Sequence, residues 1–285
     1  MQELNNTVAF IDSGHGGLDI LYYYMLARQK RFPASSKDPC GKENLVYVAD
    51  LKFMPYGKLQ KSDIYQRCLE VFKRIEKKFR PDLFVVACNT ATAHAIDQLR
   101  LDFDRPIVGM EPYLNYINKI PETKILKKGE IGALVTPATV ASSRFKRLKK
   151  EKDPEGLIEV MAPTELATLI ENYVFSKNRE VLIEGLQRLF ERYLPVNWKY
   201  VILGCTHYPL VKNEIEKVIG AKCISPAPYV VDQILRKLNL DTPIEIKTDH
   251  LEEIIKNFSF HYLNTCEENW RIATLNEFLP WYLIS

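Results

Sequence analysis

VVACNTAT, residues 85–92, is echoed by VILGCTHY, residues 201–208, which sets Cys88 and Cys205 117 positions apart. Each octapeptide opens on a short unbroken apolar run, as expected of a strand covered on both faces by helices. Each closes on small and polar residues suited to a helix entrance. Two further pairs keep the same order. VAFIDSGHG from Val8 is echoed by IGALVTPAT from Ile131, and Pro112-Tyr113 by Pro228-Tyr229. Three paired features in one order imply an internal duplication, hence two similar α/β halves with one thiol on each.

The rest of the chain fits that frame. Apolar runs recur at Val8–Ile11, Leu45–Val48, Leu83–Ala87, Ile107–Met110, Ile131–Val135, Ile158–Met161, Tyr200–Leu203 and Cys223–Ser225. Helical patterns alternate with them, at Ser62–Lys78, Pro163–Phe175, Glu180–Tyr193 and Tyr229–Lys237. The expected class is α/β, with mainly parallel sheets flanked by helices. Lys30–Lys42, rich in Pro, Ser and charge, reads as a loop carrying an exposed, non-catalytic Cys40.

Bulk properties narrow the function. In 285 residues, 39 Lys and Arg against 36 Asp and Glu leave a formal charge of +3, too little to imply a nucleic-acid partner. The basic stretches at Phe145–Asp153 and Val71–Asp82 are interleaved with acids and read as solvated helix faces. No apolar run is long enough to span a membrane, and the first residues lack a signal-peptide pattern, so a cytoplasmic protein with free thiols is expected. None of the six cysteines has CxxC spacing, which argues against a zinc ribbon or a redox pair.

The chemistry-bearing residues collect at strand ends, where α/β sheets place their ligands. Cys88 and Cys205 stand there, and a thiol at a helix N-terminus has its thiolate favoured by orphan N–H groups and the helix dipole. Taken singly, each reads first as a small buried hydrophobe ending a strand; the duplicated context reverses that reading in favour of a working pair. Asp12-Ser13, ending the first strand, can bind an ammonium, orient a thiol or simply form a turn. Asp19 stands where G-x-G-x-x-G needs its third glycine, so no dinucleotide cofactor is indicated. The hydroxyls of Thr136 and Thr139 can bind a carboxylate, and Glu111 and Glu171 an amino group. His207 has three readings: metal ligand, cysteine-hydrolase base (with His94, His250 and His261 as other candidates), or a group that tunes Cys205. No metal-ligand cluster accompanies it.

Taken together, DSGHGG (Asp12–Gly17), MPYG (Met54–Gly57), ACNTAT (Ala87–Thr92), TPAT (Thr136–Thr139) and LGCTHYPL (Leu203–Leu210) resemble the glutamate racemases of the aspartate/glutamate racemase superfamily. The resemblance implies two α/β domains with the active site in the cleft between them, residues 1–97 plus 209–285 forming one and 98–208 the other. It implies Cys88 and Cys205 as catalytic thiols, assisted by Asp12 and His207. Asp12, Ser13, Tyr56, Gly57, Asn89, Thr90, Thr206 and His207 match substrate-binding positions, and Thr136, Thr139 and Glu171 secondary contacts. It further implies glutamate as substrate, no cofactor, a homodimer, and supply of D-glutamate for peptidoglycan, hence a part in cell-wall biogenesis and cell shape. Departures are His15 in place of an apolar residue, a longer Lys30–Lys42 loop, and Tyr113 after Pro112.

Racemisation removes the Cα proton from one face and returns one to the other, so two bases facing each other suit it. By resemblance Cys88 serves D-glutamate and Cys205 L-glutamate. The alternatives are a racemase of aspartate or another amino acid, a racemase-fold binding protein with a partner role such as gyrase inhibition, and a cysteine hydrolase. The last would leave one strand-end thiol without a task.

Overall fold

The computed structural model describes residues 6–29, 43–110, 127–240 and 259–278. The expected loop with Cys40, Glu111 to Tyr113 and His250 lie outside them. The first half runs β1 (Thr7–Asp12), α1 (Leu18–Gln29), β2 (Asn44–Ala49), α2 (Lys61–Phe79), β3 (Leu83–Val86), α3 (Asn89–Asp102) and β4 (Ile107–Gly109). The second runs β5 (Ile131–Val135), α4 (Pro137–Ala141), α5 (Ser143–Lys152), β6 (Ile158–Met161), α6 (Leu166–Ser176), α7 (Arg179–Glu191), β7 (Tyr200–Gly204), α8 (Lys212–Ile219) and β8 (Lys222–Ile224). Then follow α9 (Ala227–Lys237), β9 (Ser259–Asn264) and β10 (Arg271–Thr274).

The duplication read from the cysteine motifs is a duplication of topology. The first sheet contains the parallel order β2-β1-β3-β4 and the second the parallel order β6-β5-β7-β8. All eight expected strands therefore occur, and in both sheets the thiol-bearing strand lies beside the strand that opens its half. β9 extends the first sheet in parallel with β2, and β10 closes it as an antiparallel edge. This hairpin was not expected, because its strands are only half buried and lack the unbroken apolar run of a covered strand.

Pairing also decides where the chain changes sheets. β4 bonds to β3 and β8 to β7, so the changeovers fall between β4 and β5 and after β8. Boundaries at 97/98 and 208/209 would detach each of these strands from its sheet. After β8 the chain returns to the first half, where α9 lies against α1.

Alternation along β1 fills both faces. Val8 and Phe10 join the core under α1 and α9, while Ala9 and Ile11 join the core under α2 and α3. α2 contributes Ile64, Cys68, Val71, Phe72 and Ile75, a stripe at helical spacing. The first of these cores continues without a break into the second half, through Leu134, Leu166, Val201 and Leu203. That shared apolar layer holds the carboxyl ends of both sheets face to face. Among the described residues no helix is long and apolar enough to cross a membrane.

Candidate active site

Strand order reverses at β1/β3 and at β5/β7, the switch points where such sheets open a crevice beyond their carboxyl ends. The two crevices face one another and enclose a cavity of about 110 Å³. Cys88 and Cys205 both line it, one from each half, and both are free thiols. Ser13, Asn89 and Thr90 contribute from the first half, with Tyr56 and Gly57 from the turn after β2. Thr136, Thr206 and His207 contribute from the second. At roughly 30 Å³ per water molecule, this volume suits one small metabolite rather than a dinucleotide.

The two thiols are held by different means. Cys88 caps α3: its sulfur accepts the Ala91 N–H at 3.5 Å and lies 3.8 Å from the Ser13 hydroxyl. The helix entrance favours its thiolate as expected, through the Ala91 N–H, but other forces outweigh it. Burial pushes the Cys88 thiol well up and the Asp12 charge adds to this, against the weaker pull of the Ala91 N–H and Ser13. Cys205 has no helix to cap, since a 3₁₀ turn (Tyr208–Val211) intervenes before α8. Its partner is His207, whose Nδ1 lies 3.9 Å from the sulfur.

His207 is buried, which by itself disfavours its charged form. Bonds to Cys205 and Glu171 override that, and the imidazole is held well above its ordinary range. Its Nε2 donates to Glu171 Oε2 at 2.7 Å. Burial works against the Glu171 carboxylate too, but hydrogen bonds from His15 and His207 hold it far below the usual range. The result is a buried anion between two imidazoles, one of which faces a thiol.

Three sequence-predicted residues stand behind the cavity wall. Asp12 accepts from the Ser13 and Gly17 N–H groups, and its Oδ2 also accepts the Thr206 hydroxyl at 3.2 Å. Burial raises its carboxyl, with His207 pulling the other way. Thr139 touches Thr136, hydroxyl to hydroxyl, at 2.8 Å, and Glu171 reaches the cavity only through His207. The duplication reappears in these contacts: Thr206 crosses to Asp12, and Thr90 crosses to Thr136 at 3.3 Å. Tyr56 presents its ring, because its hydroxyl donates to Asp50 (2.6 Å), which Arg67 also holds (2.9 Å).

Sequence reasoning missed Lys58, Tyr208 and the Pro163–Thr168 segment, all of which line the cavity in whole or part. The duplication held the signal for the last, since the loop after β6 mirrors the Met54–Lys58 turn after β2. Two buried lining atoms, Asn89 Oδ1 and the Tyr208 hydroxyl, have no hydrogen-bond partner. Polar atoms so placed favour an occupant that supplies one. A wider, open groove of about 770 Å³ runs along α7 and α8, but it carries no thiol, and its Arg179 is paired with Glu214 at 2.9 Å. Among the described residues no three His, Cys, Asp or Glu are grouped to hold a metal ion.

The family model of the Asp/Glu/hydantoin racemases matches residues 34–234. A glutamate racemase of Clostridium acetobutylicum is 33% identical over 84% of this chain and 86% of its own. Among solved structures, the Escherichia coli glutamate racemase in complex with L-glutamate and the activator UDP-MurNAc-ala superposes with a TM-score of 0.69 at 25% identity, covering 86% of this chain and 87% of that one. The Bacillus anthracis glutamate racemase gives a TM-score of 0.65 at 27% identity, covering 82% of each.

Proposed function

Because the chain belongs to the Asp/Glu/hydantoin racemase family, we propose that it is an isomerase interconverting L- and D-glutamate through two cysteine bases, without a cofactor. The observation that carries this reading is the placement of Cys88 and Cys205 at equivalent strand ends of two duplicated halves, lining one small cavity.

From L-glutamate, Cys205 serves as the base beside His207 and Cys88 serves as the acid. Burial and the Asp12 charge favour the thiol form of Cys88 that this direction needs. The Cys205 thiolate takes the Cα proton of L-glutamate, and the C–H electron pair remains on carbon. The Cys88 thiol returns a proton to the opposite face and becomes the thiolate. D-glutamate runs the same steps in reverse. Hydroxyls and N–H groups of the wall stabilise the developing charge on the substrate carboxylate. Asn89 Oδ1 is suited to accept from the ammonium. Lys58, a cation on the lining, favours a substrate with an acidic side chain. Asp12, Thr139 and Glu171 act from behind the wall, through Thr206, Thr136 and His207. By family likeness, the reading extends to a homodimer that supplies D-glutamate for peptidoglycan in the cytoplasm, with a domain division that follows the two sheets.

Incubation with L-glutamate in D2O tests the reading. Solvent deuterium at Cα together with D-glutamate is expected. Faster exchange with aspartate would reassign the substrate, and exchange with neither would overturn the reaction class.

A further inference from the structure

The reaction as read leaves one residue of the DSGHGG turn without a task. His15 is buried and does not line the cavity. Its Nδ1 lies 2.6 Å from Glu171 Oε1, and its own backbone N–H donates to Glu171 Oε2 at 3.2 Å. Its Nε2 lies 2.9 Å from the Tyr262 hydroxyl on β9, and its ring stacks on Phe278 with centroids 5.0 Å apart. Glu171 in turn holds His207, which faces Cys205. The contacts thus run unbroken from the edge hairpin of the first sheet to one thiol. Among the described residues Cys88 has hydrogen bonds only with Ser13 and the Ala91 N–H.

The terminal torsion of a glutamate is soft, so one donor does not fix its carboxylate. Here His15 engages both oxygens and is itself fixed by Tyr262 and Phe278. We propose that His15 is a positioning residue for the Cys205 half-reaction: by pinning Glu171 it keeps the His207 imidazole aligned on the Cys205 sulfur. This rests on the racemase reading. His207 retains its proton while Cys205 exchanges one with Cα, so His15 changes the barrier on one side of the carbanion only. Among the described residues, the other titratable groups facing the network include Asp12 from β1, Tyr47 from β2 and Tyr262 from β9, besides the two thiols, with Arg271 of β10 over the Tyr262 and Phe278 rings.

The test compares His15→Leu with His15→Asn, whose amide nitrogen can replace Nδ1 as donor, and with Tyr262→Phe, which removes only a hydroxyl. In His15→Leu, kcat is expected to fall about tenfold, the scale of one hydrogen bond to a charged group, with KM unchanged. Tyr262→Phe loses less, and His15→Asn recovers most of the activity. The deciding readout is the primary isotope effect with Cα-deuterated substrate. In His15→Leu it is expected to rise for L-glutamate, whose proton Cys205 removes, and to fall for D-glutamate. Equal changes for both enantiomers, or no rescue by Asn, would overturn the positioning role. Wild-type protein that exchanges no Cα proton of glutamate would instead overturn the underlying racemase reading.

Discussion

Glu171→Gln is the sharpest perturbation of this site, because it removes a charge while keeping nearly the same shape. The carboxylate accepts from His15 Nδ1 on one oxygen and from His207 Nε2 on the other. An amide has one acceptor, so its NH2 must face one of two donors. His207 then loses both the anion and, in one orientation, its partner. A hydrogen bond to a charged group contributes about 1.5–3 kcal/mol, and one pKa unit corresponds to about 1.4 kcal/mol. Burial leaves little solvent screening to reduce this, so the His207 titration is expected to move down by about one to two units. The alkaline limb of kcat/KM moves with it, because the imidazolium that faces Cys205 is lost at lower pH. If the same energy is withdrawn from the transition state, kcat/KM at neutral pH falls about 10- to 100-fold. The assay is a pH–rate profile followed by chiral chromatography, beside a ¹⁵N NMR titration of the histidines. An unchanged alkaline limb with an unmoved His207 resonance would refute the claim that Glu171 holds the imidazole charged.

Four other expectations follow from the same geometry. Cys88→Ala and Cys205→Ala each lose racemisation in both directions, by about 10²- to 10⁴-fold on the scale of acid–base catalysis, and full activity in either would end the two-thiol mechanism. Gly16→Ala places a methyl carbon 2.6 Å from the His207 backbone nitrogen and 2.7 Å from the Thr206 carbonyl carbon, so about 1–3 kcal/mol of stability is lost and Tm drops by several degrees. Gly132→Ala collides with the Trp198 ring, away from the cavity; it is expected to lower Tm while sparing kcat below the melt, and a kcat loss well below the melt would contradict this. Glu171, held below its ordinary 4.5, adds stability above that pH and loses it as pH falls through the depressed value. His207, held above its ordinary 6.5, adds stability below that pH and loses it as pH rises through the raised value. The gap in urea midpoint between wild type and Glu171→Gln is therefore expected to be widest between 4.5 and 6.5, and a gap independent of pH would show that the pair adds no linked stability.

What the sequence determined by itself was the repeat and the positions of the strands. Covered parallel strands demand unbroken apolar runs, and the duplicated thiol motifs fixed which strand ends matter. Strand pairing lay beyond it, since hydrogen bonds between distant segments leave no local mark; hence β4 and β8 sit in sheets other than the expected boundaries imply. The hairpin of β9 and β10 escaped because its half-buried strands lack an unbroken apolar run. The surroundings of the two thiols were decided by tertiary structure alone. Cys88 occupies the helix entrance that its sequence predicts, yet burial and the Asp12 charge outweigh the helix terminus. Cys205 carries the matching motif but no helix follows it directly, and the chain of contacts beside it runs through His207, Glu171 and His15, drawn from three separate segments. Local sequence names the groups; the fold sets their dielectric surroundings and charge partners, and these govern proton affinity.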